Sequence, residues 1–299
     1  TMQRYLQPDR LRDEGLGFFD SWASNFGKTV TAVELSPEGK GFRTKTRFAK
    51  FYNLPELMSM FKEIADIKTA DQLNLDVPEA EFIINKVPAS SAQKDIVDEL
   101  ADRARQVRER LVEPEEDNML KIVNDGRKLA KLALDQRLIN PDLPDNPNSK
   151  VNICVKNVLE VYEETKEQRS TQMIFCDQST PSKMFNVYDD IREKLIAAGV
   201  KPNEIAFIQD TKNEKEKDAL FEKVRKGEVR ILLGSTVMMG TGTNVQDKLI
   251  ALHDLDIPWR PSDLEQRSGR IIRQGNENKH VKIFRYVTES TFDSYLWQI

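Results

Sequence analysis

The chain has 299 residues, 39% hydrophobic and 31% charged, the composition of a globular protein with a polar surface and room for two domains. No apolar run reaches the roughly 18 residues of a membrane span, and no basic segment followed by an apolar one opens the chain as a secretory signal would. Its formal net charge of -4 sets it apart from stand-alone nucleic-acid binders, which are usually basic, and argues against strong binding of a polyanion by the chain alone.

The opening Thr1-Met2-Gln3 reads as mid-domain sequence, as of a segment from a longer protein, and residues 1–28 read as irregular helix. Thr29–Leu35 and Phe42–Phe48 read as two strands joined by the turn Ser36-Pro37-Glu38-Gly39-Lys40-Gly41, a hairpin. Leu57, Phe61 and Ile64 then space as a helix face, with Asn53 and Pro55 as start signals. Phe82-Ile83-Ile84 is a short apolar strand. Ile96, Val97, Leu100, Ala104, Val107 and Leu111 recur at helical spacing over four turns, a pattern of core packing. Three prolines in Asn140–Asn148 forbid helix and mark a linker, where a domain boundary is placed.

Beyond the linker the pattern becomes regular. Val155, Val158 and Tyr162 mark a helix, and Met173–Cys176 a buried strand. Pro181 opens a helix carrying Met184, Tyr188, Ile191 and Leu195 on one face, closed by Gly199. Ile205–Ile208 is a strand, and a charged helix through Leu220, Phe221 and Val224 stops at Gly227. Val229–Leu233 and Leu249–Leu252 are strands. A helix starts at Ser262, where Ser262-x-x-Glu265 has the form of a capping box, and Val281–Val287 is the last strand. Alternating strands and helices predict a parallel sheet with helices on both faces, whose ligands bind beyond the carboxyl ends of the strands.

Several motifs fail on inspection. Gly27-Lys28-Thr29 resembles the end of a phosphate-binding loop, but Trp22 stands where the loop needs glycine. Asp13-Glu14 follows Arg10-Leu11-Arg12 rather than an apolar strand, so surface charge explains it. Gly240-Thr241-Gly242 begins like a dinucleotide fingerprint whose third glycine is replaced by Val245. Cys154 and Cys176 lie in apolar runs, and His253 and His280 are not at ligand spacing from them. They predict buried, reduced thiols in a cytoplasmic protein and no metal site.

The informative stretch is Ile231–Gly275. Arg267, Arg270 and Arg273 recur every three residues and would share one side of a helix. Gly269 interrupts that helix at about 1 kcal/mol, which suggests close approach by another backbone or a ligand. Arginines beside small residues near sheet loops suit polyphosphate recognition.

Gln266-Arg267-Ser268-Gly269-Arg270-Ile271-Ile272-Arg273-Gln274-Gly275 resembles motif VI of the superfamily 2 helicases, QxxGRxxRxG. Leu233–Thr236, then Gly240–Asn244, then Asp256 and Trp259-Arg260-Pro261, resemble motif V and its extension, most closely in the SWI/SNF-type branch. Met173–Cys176 resembles motif IV, and Ser149-Lys150 falls where the branch has Ser-Gly-Lys. Gly234, Arg260 and Asn276 depart from that branch, which has a larger residue, Asn and often Gln at those places. The front half is similar to large bacterial and phage proteins that join such a helicase to an adenine-specific DNA methyltransferase. The residues carrying that likeness are Tyr5-Leu6-Gln7, Phe19–Gly27, Glu34-Leu35-Ser36 and Asp125–Ala130. No Asn/Asp-Pro-Pro-Tyr/Phe methyltransferase motif occurs in the chain.

The resemblance implies an α/β RecA-like second lobe over 149–299, after a mixed helical and hairpin remnant of the first lobe (1–110, with Phe82–Val87 as its last strand) and a connector at 111–148. It implies Arg270 and Arg273 as arginine fingers toward ATP, Gly242 and Asn244 on the nucleotide side, and Gln266 and Arg267 as residues that order that helix or touch the nucleotide. Ser235 and Thr236 would contact a DNA phosphate, sequence-independently. Asp256 would order the loop before the arginine helix. ATP and magnesium would be bound only with the missing first lobe, which supplies the phosphate loop and acid pair, so the chain alone is expected to be inactive. A non-catalytic DNA- or partner-binding module is the alternative reading.

Overall fold

The computed structural model describes residues 2–35, 42–68, 70–73, 75–118, 121–122, 131, 133–240, 244–258, 260–291 and 293. The turn at 36–41, the Asp125–Ala130 match, Thr241–Thr243 and Trp259 lie outside the described residues. The chain divides into two compact units, one of residues 1–34 and 42–75, the other chiefly of residues 76–299.

The first unit holds α1 (Met2–Leu6), α2 (Pro8–Asp13), α3 (Phe19–Phe26), the strands β1 (Gly27–Leu35) and β2 (Phe42–Phe51), α4 (Leu54–Lys62) and the single turn α5 (Ala70–Leu73). β1 and β2 form the expected two-stranded sheet. Leu11, Leu16, Phe26 and Met60 make its small core. Met60 is the residue α4 buries, whereas Ile64 lies beyond the helix end and is exposed. Polar side chains extend this core: Gln7 Nε2 donates to the Met60 carbonyl at 2.8 Å, and Trp22 Nε1 to Gln3 Oε1 at 3.0 Å.

The second unit is built on a wholly parallel six-stranded sheet of β3 (Glu79–Val87), β4 (Thr171–Phe175), β5 (Ile205–Phe207), β6 (Ile231–Gly234), β7 (Leu249–Asp254) and β8 (His280–Thr288), in the order β3-β8-β7-β4-β6-β5. Its helices are α6 (Ser91–Arg108), α7 (Lys150–Glu164), α8 (Val187–Ala197), α9 (Glu214–Arg225), α10 (Thr236–Gly240) and α11 (Pro261–Ile271). The period-2 alternation of the strands divides their apolar residues between two cores. Ile174, Ile231, Leu233 and Tyr286 pack with α7 and α8 on one face. Met173, Leu232 and Ile283 pack with Phe221 of α9 and Ile271 of α11 on the other. No helix among the described residues is long and apolar enough to cross a membrane, and both cysteines are free and buried.

Four sequence expectations are corrected. The strand at Phe82–Val87, read as the end of a first lobe, is the edge of this sheet, paired along its whole length with β8. The proline-rich stretch does not separate bodies: Arg137 bridges Asp135, Asp145 and Asp190 of α8, and Asn152 of α7 donates to the Asn146 carbonyl at 2.7 Å. Its prolines forbid helix, but carboxylates and exposed carbonyls still strap it down. The helix expected from Pro181 begins at Val187 instead, because Asn186 caps it by accepting from the Asp189 amide at 3.0 Å. Met184 is then left exposed. The helix expected from Ser262 starts at Pro261 with Arg260 as N-cap and no side-chain cap. Proline's fixed φ at the first helical position outranks the capping-box pattern there.

A buried polar network crosses the sheet. Gln172 Nε2 donates to the Val158 carbonyl, leaving its Oε1 to accept from His253 Nε2 at 3.0 Å. His253 Nδ1 then accepts from the Tyr286 hydroxyl at 2.9 Å. Burial pushes the His253 imidazole down from 6.5 to about 3. Below pH 6.5 the unfolded chain therefore takes up a proton that the fold refuses, so stability is lost as pH falls from 6.5 toward 3. The loss approaches 1.4 kcal/mol per pH unit, or about 2 kcal/mol at pH 5. Urea melts at pH 6.5 and pH 5 should show it, and His253→Asn should remove that part of the difference; an unchanged difference would refute it.

Candidate functional site

The chain passes from β6 to β7 across β4, so connections diverge at the middle of the sheet, the place where open parallel sheets bind ligands. Asp177 follows β4, Ser235 and Thr236 follow β6, and Asp256 follows β7. α11 lies against β7 and carries the arginines.

Arg267 is fully buried. Its Nε donates to Thr236 Oγ1 at 2.9 Å. Its Nη1 donates to Asp254 Oδ1 at 3.0 Å and to the Asp256 carbonyl at 2.9 Å. Its Nη2 donates to Asp177 Oδ2 at 2.9 Å and to Asp256 Oδ1 at 3.3 Å. These contacts use all five N–H donors of a guanidinium. Burial alone would depress Arg267, but Asp256, Asp254 and Asp177 hold it above its ordinary value. Burial raises the Asp254 and Asp256 carboxyls. Arg267 thus orders the helix and has no donor left for a nucleotide.

Asp256 also accepts from the amides of Asp177 and Gln178, the loop-ordering place expected of it. Asp177 takes both donors of Thr236, the amide at 2.6 Å and the hydroxyl at 2.7 Å. Neither donor of Thr236 is left for a phosphate. Ser235 differs: its Oγ accepts from the Met238 amide at 3.4 Å, which leaves its own proton to give. Gly234 has no room for the larger residue of the SWI/SNF pattern, since a Cβ there would lie 2.6 Å from Ile208 Cγ2 and 2.7 Å from Met239.

The three arginines do not share one helix face. α11 ends at Ile271, and Arg273 lies beyond it. Asn276 Nδ2 donates to the Ile271 carbonyl at 3.1 Å and to the Leu249 carbonyl at 2.9 Å, so this departure from the motif closes the helix and ties it to β7. Gly275 turns the chain at φ +85°. Arg270 is half-buried and Arg273 exposed. Burial first, and the positive charge of Arg273 second, hold Arg270 below its ordinary value. A Cβ on Gly269 would meet nothing within 4 Å, so no packing among the described residues demands that glycine. Gln266 and Asn244 are exposed, and the Asn244 carbonyl accepts from Arg225 Nη1 at 2.7 Å.

Sequence reading passed over Asp177 and Asp254. Their signal is a carboxylate at the end of an apolar strand, where solvent would be its ordinary neighbour. Gln246 was also missed: it is buried and donates to the Gln274 carbonyl at 3.3 Å, while its Oε1 has no hydrogen-bond partner.

Residues 149–275 match the helicase conserved C-terminal domain family, and residues 1–69 match a family described as a probable helicase domain. Among solved structures, the C-terminal part of the Fun30 ATPase domain aligns with a TM-score of 0.54 at 14% identity, over 74% of this chain and 89% of that one. At that identity the likeness is one of fold. The Pyrococcus furiosus Hef helicase domain aligns with a TM-score of 0.45 at 14% identity, over 83% of this chain and 64% of that one. No curated protein sequence matches the chain. The sheet and its flanking helices match a RecA-like lobe, and residues 149–275 are similar to helicase C-terminal domains.

Proposed function

We propose that the chain is the C-terminal half of an ATP-dependent DNA helicase or translocase motor, inactive without its first lobe. One observation carries the reading: Arg267 pins α11 beside the switch point of a parallel sheet, with Arg270 on that helix and Arg273 just past its end, so two positive charges lie near that point and the charge of one depresses the other. Mutual repulsion makes such a pair a receptor for a polyanion. The polyphosphate of ATP fits that receptor, and the unpartnered acceptor of Gln246 suits a hydroxyl. ATP with magnesium supplies the scissile phosphoanhydride when bound between two lobes. Arg270 and Arg273 would neutralise charge developing on the transferred phosphoryl oxygens, and Gln266, Asn244 and Gly242 would line the same side. In this reading the first lobe holds the metal, and residues 1–75 derive from that lobe's end. The SWI/SNF-type branch and fusion to a DNA methyltransferase are part of the same proposal and rest on the sequence motifs.

The nucleic-acid role falls on Ser235 rather than Thr236, because only Ser235 keeps a proton to give. In a protein that includes both lobes, Ser235→Ala should weaken DNA binding severalfold and leave the salt slope unchanged, since a neutral hydroxyl displaces no counterion. Thr236→Val should instead lower the melting temperature, by removing partners of Asp177 and Arg267. Fluorescence anisotropy and thermal melts of the two variants separate these effects. Unaltered DNA affinity in Ser235→Ala would remove the assignment.

A further inference from the structure

The two edges of the six-stranded sheet differ. One is β5, blunted by its length of three residues. The other is β3, nine residues in unbroken register with β8 and with no strand on its outer side among the described residues. β3 has neither proline nor bulge, two of the usual guards of a sheet edge.

The ladder fixes which groups face outward. The Glu79 amide donates to the Lys279 carbonyl, and the Val87 carbonyl accepts from the Glu289 amide, each at 2.9 Å. The odd-numbered residues from Glu79 to Val87 therefore turn their N–H and C=O groups toward β8. Ala80, Phe82, Ile84 and Lys86 turn theirs to the open side. The same four side chains share one face of the sheet. Phe82 and Ile84 are 51% and 56% exposed there, and the Arg285 guanidinium carbon lies 4.9 Å from the Phe82 ring centre. On the opposite face Ile83 packs against the core and Asn85 accepts from Asn157. An edge of this length with two large apolar side chains exposed is a template for another strand.

We propose that β3 is an interface between two copies of this chain, paired antiparallel about a two-fold axis at Ile83. The strand is complementary to itself in that register. Phe82 comes opposite the second copy's Ile84, and Ile84 opposite its Phe82, so four apolar side chains meet on one face. Lys86 comes opposite Ala80 and Glu81 opposite Asn85, so no like charges oppose each other. The pairs Phe82–Ile84 and Ala80–Lys86 are also the ones with outward N–H and C=O groups, so each exchanges two hydrogen bonds. An axis at Phe82 would set Glu81 against Ile83, and an axis at Ile84 would set Phe82 against Lys86. A parallel pairing in register would set Glu79, Glu81 and Lys86 each against itself. This self-match singles out a second copy over an unrelated extended peptide. The interface is one strand wide, so the dimer is weak, with a dissociation constant of about 10–100 μM. It uses neither the arginines of α11 nor Ser235 and does not rest on the motor reading.

Sedimentation velocity of the 299-residue chain over about 5–500 μM, a range that brackets that constant, should show the mass rise from one copy toward two. Ile84→Lys and Phe82→Glu, each alone, should weaken association about tenfold or more, because the two-fold axis counts each substitution twice. Mixing the two variants should restore the dimer, because the register sets the two introduced charges directly opposite each other. Both positions are more than half exposed, so thermal melts of the variants should match that of the parent chain. A chain that stays monomeric to the top of the range would overturn the proposal. So would a dimer indifferent to both substitutions, or a mixture no more associated than its components.

Discussion

Arg267→Ala should destabilise the α/β unit by about 3–5 kcal/mol, the range for removing one partner of a buried ion-pair network. That is a large part of the roughly 5–15 kcal/mol by which domains are stable. The substitution leaves Asp254 and Asp256 buried, with Arg285 the cation still paired with Asp254 among the described residues, its Nε 3.7 Å from Asp254 Oδ2. It also strips the donor from five acceptor atoms: Thr236, Asp177, Asp254 and two atoms of Asp256 lose their common partner. Lysine should rescue only part of this, since one ammonium cannot reach acceptors set around a planar fork. Urea denaturation followed by circular dichroism measures the loss. A cost below about 1 kcal/mol, the scale of an exposed ion pair, would show that the network is not what holds α11.

Arg270→Ala and Arg273→Ala should behave in the opposite way. Half-buried and exposed respectively, they are expected to change stability within about 0.5–1 kcal/mol. In the two-lobe protein each should reduce ATP turnover by roughly 10³–10⁵, the contribution of an arginine finger, equivalent to about 4–7 kcal/mol of transition-state stabilisation. Lysine should not restore the rate. DNA binding without nucleotide should survive. A surface arginine of no catalytic role would leave the rate nearly unchanged, so the two readings differ by orders of magnitude. Near-normal DNA-stimulated turnover in both variants would favour the non-catalytic binding module. Three arginines at one spacing thus carry two predictions that cannot be exchanged: one is read in a melt, two in a turnover assay.

The alternation of apolar strands and helices after residue 149 was legible because each strand is buried on both faces and each helix on one, so local periodicity reports the tertiary environment directly. The cysteines were legible for the same reason. Glycine marked helix ends where φ decides, as at Gly199 and Gly227. Motif VI drew attention to Arg267, Arg270 and Arg273 as a set, because their order along the chain carries the resemblance.

Their division into one fully buried arginine and two that are more exposed was decided only by the fold. Arg267 meets Asp177 from ninety residues earlier in the chain, and no local pattern reports a contact at that separation. The place of β3 was decided the same way: its residues read as a strand, but its partner, β8, lies about two hundred residues away. Likewise, both hydroxyls of Ser235-Thr236 are equivalent as residue types. They differ because Asp177 reaches one and not the other, and a proton already given to a carboxylate cannot also be given to a phosphate.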